Sequence, residues 1–167
     1  MIVAVLLVAV LVVGAFRVLR QPPAPAPASG GQTVVFEGSN SSTYAHDSKE
    51  FVLQFDLRNK GSALVHVRAA TAVRDPGFAR FATAVLPGFA TGSAPGYDEV
   101  AAAGGKVVPL DPGSVAQLTL AGRVVCDPAP AVRAGIEVRV DERTVEVALP
   151  DIDGEPWSVA VTKAFCP

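Results

Sequence analysis

The sequence predicts an all-β domain, two antiparallel sheets of about seven or eight strands packed face to face, preceded by one N-terminal transmembrane helix. Three observations carry that expectation. Apolar side chains recur at every second residue through most of the chain beyond Thr33, the period at which one face of a strand is buried and the other solvated. Asn, Gly, Asp and Pro break these runs at short intervals, as turns between strands require. The first twenty residues, by contrast, are almost purely apolar.

Residues 1–20 read as a transmembrane anchor. Ile2 to Phe16 carries no charge, and a helix continued through Val18 and Leu19 would reach roughly thirty ångströms at about 1.5 Å per residue, the thickness of a bilayer core. The alternative is the apolar region of a signal sequence, with Ala26-Pro27-Ala28 as a small-x-small cleavage site. Arg17 and Arg20 follow the segment, which the positive-inside rule reads as a cytoplasmic flank. Two cysteines at strand ends argue instead for an oxidising compartment. A true start upstream of Met1, supplying a basic leader, reconciles the two. The expected placement is a single-pass cell-membrane protein with its domain on the extracytoplasmic side. Residues 21–32 (QPPAPAPASGGQ) are a Pro/Ala/Gly linker, extended at about 3.1 Å per residue where Pro is dense.

The domain occupies residues 33–167. Thr33–Phe36 opens it, and Ser39–Glu50 reads as a polar loop. In the next run Phe51, Leu53, Phe55 and Leu57 point one way, Gln54, Asp56 and Arg58 the other. Asn59-Lys60-Gly61-Ser62 makes a turn, with Asn and Gly supplying positive φ. Ala63, Val65, Val67 and Ala69 then share a face opposite His66 and Arg68. A strand near Phe81–Val85 follows, and Thr91–Gly105 is a long exposed loop. Leu118, Leu120, Val124 and Cys126 alternate with Gln117, Thr119 and Arg123. Ile136, Val138 and Val140 pair with Val145, Val147 and Leu149 through an Asp141-Glu142 turn, and Trp157–Cys166 is the last strand, with Trp157, Val159, Val161 and Phe165 on one face. One polar face per strand implies that each sheet is buried on one side only.

Two runs carry a family resemblance. FVLQFDLRNKGSALVHV resembles the strand–Asn-x-Gly–strand hairpin of bacterial immunoglobulin-like modules, and VVPLDPGSVAQLTL resembles their Pro-Gly turn leading into a long alternating strand. The whole arrangement is similar to membrane-anchored immunoglobulin-like proteins of high-GC bacteria, with an apolar leader, one such domain and a C-terminal Cys. The resemblance implies an Ig-like sandwich and names no ligand. Trp157 departs from the antibody pattern, because it does not lie midway between the two cysteines on a third strand.

Composition narrows the function. Beyond Gln21 the chain holds twelve Lys and Arg against sixteen Asp and Glu, leaving the domain at −4 with no basic stripe, so nucleic acid is not an expected partner. Cys126 and Cys166 form one bridge by count, and closing a loop of that length stabilises a fold by about 4 kcal/mol in the chain-entropy account. His46 and His66 are scattered and read as exposed, short of the three or four convergent ligands zinc needs. Asp151-Ile152-Asp153-Gly154-Glu155 resembles half a calcium loop without the closing bidentate Glu, and Asp-Gly is also ordinary hairpin chemistry. Neither Gly-x-Ser-x-Gly nor Ser-x-x-Lys occurs. No catalytic residue, metal ligand or cofactor is expected.

The expected function is therefore non-catalytic: an envelope protein that displays its domain to an unknown protein partner, with the membrane engaged through residues 1–20. The binding candidates are Phe89, Tyr97, Asp98 and Glu99 on the loop around Phe89–Val100, where Tyr97 offers an aromatic anchor and Asp98 and Glu99 a charged rim. Two alternatives stand beside this: an accessory subunit of a larger membrane complex, and a cell-wall carbohydrate-binding module or hydrolase using Trp157, Tyr44 or Tyr97 as an aromatic platform.

Overall fold

The computed structural model describes residues 34–70, 74–88 and 94–166; the anchor, the linker and Phe89 lie outside the described residues. Among the described residues no helix is long and apolar enough to cross a membrane. Eight strands and two short helices follow in order: β1 (Val34–Ala45), β2 (Glu50–Asn59), β3 (Val65–Ala69), β4 (Phe78–Pro87), α1 (Tyr97–Ala103), β5 (Val108–Leu110), β6 (Val115–Val124), β7 (Gly135–Val140), β8 (Arg143–Ala148) and α2 (Trp157–Phe165). The strands make two four-stranded sheets, β1-β2-β6-β4 and β5-β3-β7-β8, and every pairing is antiparallel.

The period-two residues of both sheets meet in one core. Leu53, Phe55, Leu57, Leu118 and Leu120 from the first sheet are buried with Val67, Ile136, Val138 and Val147 from the second. The β7–β8 hairpin has the expected register, Val138 opposite Val145 and Ile136 opposite Val147. Asp141 takes a φ of 53° in its turn, a conformation Asp tolerates better than most residues.

Several expectations fail, each for a physical reason. The Phe51–Val67 run is not a hairpin, because β2 and β3 lie in different sheets. Neither Asn59 nor Gly61 has positive φ. Instead the buried Asn59 amide donates to Ala63 O at 2.8 Å and Leu110 O at 2.9 Å, while its Oδ1 accepts from Gly61 N at 2.8 Å. The corner is held by a side chain standing in for missing backbone partners. The polar loop Ser39–Glu50 is mostly the second half of β1, whose residues Asn40–Ala45 pair with Phe55–Glu50. An edge strand needs backbone partners on one side only, so polar side chains do not forbid it.

The last strand is a helix, α2, and the loop Thr91–Gly105 contains another, α1. Nor is the first sheet buried on one side only. Gln54, Asp56, Gln117 and Thr119 on its outer face are buried, with Gln54 donating to Gln117 Oε1 at 2.8 Å and accepting from Ser41 at 3.0 Å. Beside them Val100 and Ala103 of α1 form a second small core with Ala82, Ala84 and Ala121. Alanines on the strands let the helix backbone approach closely, and this covers a face that alternation alone assigns to water.

Candidate functional site

Trp157 is fully buried, so it presents no face to a sugar. It opens α2 and lies stacked on Phe78 and Phe81, with centroids 6.1 and 5.8 Å away, and its indole N–H donates to Gly135 O at 3.4 Å. Space for this aromatic group comes from Gly122, opposite both Phe51 and Phe81 in register. A Cβ there would stand 3.0 Å from the Phe51 ring and 2.8 Å from the Arg80 carbonyl. Ser158 fastens the start of α2, accepting from Arg133 N at 2.7 Å and donating to Arg133 O at 3.1 Å.

The end of α2 is fixed covalently. Cys126, just past β6, is disulfide-bonded to Cys166, with the Cα atoms 5.5 Å apart. Phe165 beside it packs edge-on against Tyr44 and His46 at 5.7 and 5.5 Å. Burial raises the Tyr44 hydroxyl above its ordinary value of 10.0; a hydrogen bond with Ser42 opposes that shift and the charge of Asp153 adds to it.

The other polar candidates have local roles. His66 N donates to Asp141 Oδ1 at 2.9 Å, and its exposed ring lies 3.5 Å from the same oxygen. Asp153 and Gly154 both have positive φ, 53° and 80°, and Ile152 and Glu155 exchange backbone hydrogen bonds across them, so Asp151–Glu155 is a two-residue primed turn. Asp75 was not legible as special. Its carboxylate is buried, accepts from Gly77 N at 2.9 Å and Ala131 N at 3.1 Å, and lies 3.6 Å from Arg133. That pins the segment leading into β7 to the start of β4. Among the described residues no three His, Cys, Asp or Glu side chains form a group able to hold a metal ion.

Of the four loop candidates, Tyr97, Asp98 and Glu99 form the first turn of α1 and are not in a loop. Glu99 turns back to accept from Gly96 N at 2.9 Å, and Asp98 is exposed. Tyr97 is half-buried, with the Arg80 guanidinium 4.2 Å from its ring centroid, and Arg80 is in turn paired with Glu50. Ring and cation hold each other in place.

Tyr97 also forms one wall of a groove of about 390 Å³ at the β4 side of the domain. Thr83 and Ala82 of edge strand β4, Ala101 and Gly104 of α1 and its end, and Ala70 past β3 give it a floor of small residues. Glycine at 104 eases the close approach, because a Cβ would lie 3.2 Å from Thr83 O. Thr83 Oγ1 reaches Ala70 O at 3.4 Å and ties β3's end to β4. The opposite wall is Arg68 and Arg139, direct partners in the β3–β7 register. Like charges so opposed repel, yet among the described residues neither arginine has a carboxylate partner. Among the described residues Arg139 reaches only Glu142 O, at 3.5 Å, and its buried Nε has no partner. Alternation places Arg68 on a polar face; the pairing of β3 with β7 that sets it against Arg139 has no local sequence signal.

No protein-family model, curated protein or solved structure matches this chain.

Proposed function

We propose that this chain is a non-catalytic, membrane-anchored envelope protein that displays an immunoglobulin-like sandwich to a protein partner, with the groove beside Tyr97 as the binding site. The fold part of this reading is supported by connectivity. Orders β1-β2-β6-β4 and β3-β7-β8 follow the A-B-E-D and C-F-G sheets of the Ig fold. Strand β5 is an addition beside β3, reached after β4 instead of before it, and the disulfide joins β6 to α2 instead of bridging the sheets. The anchor and the extracytoplasmic placement rest on the apolar run of residues 1–20 and on a disulfide, which persists in oxidising compartments.

The observation that carries the binding reading is the groove itself. It combines a tyrosine packed against Arg80 with two arginines that have no carboxylate partner among the described residues, and Tyr and Arg are the residue types that dominate binding hot spots. The test is capture of partners by the tagged full chain from gently solubilised native membranes, comparing wild type with Ala101→Trp, which fills the groove from an exposed helix position. Loss of a captured protein in the variant supports the reading. A partner kept by Ala101→Trp but lost on removing residues 1–20 would replace it with the accessory-subunit reading.

A further inference from the structure

The two arginines say what kind of group the groove takes. They stand opposite each other on adjacent strands, where Cβ atoms are about 5 Å apart, close enough for both guanidinium forks to reach one carboxylate. The domain is acidic as a whole, sixteen Asp and Glu against twelve Lys and Arg beyond Gln21, yet none of these carboxylates pairs with Arg68 or Arg139 among the described residues. Two other arginines are served internally, Arg80 by Glu50 and Tyr97 and Arg133 by Asp75. Among the described residues no carboxylate relieves the cost of opposing these two cations on the wall of the groove. The groove's 390 Å³ falls in the range of small-ligand sites, and its floor of alanine and glycine leaves depth for an inserted side chain. At Thr83, midway along the β4 edge, Gly104 and the end of β3 both come close, so a strand added along β4 would meet them there.

We propose that the groove receives an aspartate or glutamate side chain of the partner protein, held by both arginines with Tyr97 packed against its stem. This rests on the reading of the groove as the protein-binding site. A planar carboxylate matches the guanidinium fork, and such charge-assisted bonds are stronger than neutral ones.

The test uses the isotope-labelled full chain in detergent micelles and two blocked tripeptides, valine–glutamate–valine and valine–glutamine–valine, titrated while the amide signals of Thr83, Gly104 and Gly105 are followed. The glutamate peptide is expected to shift these signals and to bind about tenfold more tightly than its glutamine twin, an advantage that shrinks at high salt. Arg68→Gln removes the preference, whereas Arg68→Lys keeps part of it; unchanged signals from β2 and β6 show that both variants are folded. Equal binding of the two peptides would overturn the carboxylate assignment and leave the groove as a protein site. Absence of any shift at Thr83, Gly104 and Gly105 with the glutamate peptide overturns the assignment as well, and partner capture by Ala101→Trp then decides the groove separately.

Discussion

The two short helices are attached to the same sheets by opposite means. Helix α2 enters the main core: its first residue, Trp157, stacks on Phe78 and Phe81, Val161 is fully buried, and its end is tied by Cys126–Cys166. Helix α1 lies on an outer face with Val100 and Ala103 over the alanines of β4 and β6, and has no covalent tie. One is a closure of the fold and the other a cover laid over it. The difference teaches where function can sit. The helix that frames the candidate groove is the one packed in the smaller, separate core, in keeping with the rule that binding elements come from the less stable parts of a fold.

The largest expected effect breaks the closure. Trp157→Ala deletes the largest of the fully buried side chains and leaves a cavity against Phe78 and Phe81, a change worth about 3–5 kcal/mol. Urea unfolding followed by far-ultraviolet circular dichroism should show that loss. A loss below about 1 kcal/mol, the scale of a half-exposed side chain, would mean that Trp157 is not the closing residue.

The same comparison explains what the sequence revealed. Trp157, Val161 and Phe165 are spaced by four, a spacing shared by two strand periods and by one helical turn, so the apolar residues alone leave α2 undecided. Val159, which a strand would bury, is half-buried, and Ser158, which a strand would expose, is buried. Helix α1 is too short to show a period, but it carried other signals. Asp98 and Glu99 stand in its first turn, Ala101–Ala103 follow, and Gly104 ends it, each a known helix preference. The β2, β6, β7 and β8 runs were legible because one face of each meets the core. The register that sets Arg68 against Arg139 was not, since it depends on which distant strands become neighbours.

A smaller effect tests the cover. Val100→Ala removes two carbons from a fully buried site in the second core and should cost about 1.5 kcal/mol. Hydrogen exchange should locate that loss: amides of α1 exchange faster, while those of β6 and α2 keep their protection. Equal acceleration in α2 would show that the two helices unfold as one unit and erase the contrast between them.

The smallest effect sharpens the contrast through pH. Tyr44 packs on Phe165 at the tied end of α2, and burial is the main cause of its raised ionisation. A phenol that holds its proton longer in the folded chain leaves stability whole below its ordinary value of 10.0 and withdraws it as pH rises through that value toward the raised one, because the unfolded chain ionises first. Between pH 9 and pH 11, roughly one unit either side of an ordinary tyrosine, the wild-type denaturation midpoint should fall more than that of Tyr44→Phe, by less than the Val100→Ala loss. Exchange in the last turn of α2 should quicken over the same interval in the wild type alone. The phenol lies against α2 and not against α1, so a pH response of equal size in α1 would mean that the alkaline loss comes from groups elsewhere in the domain.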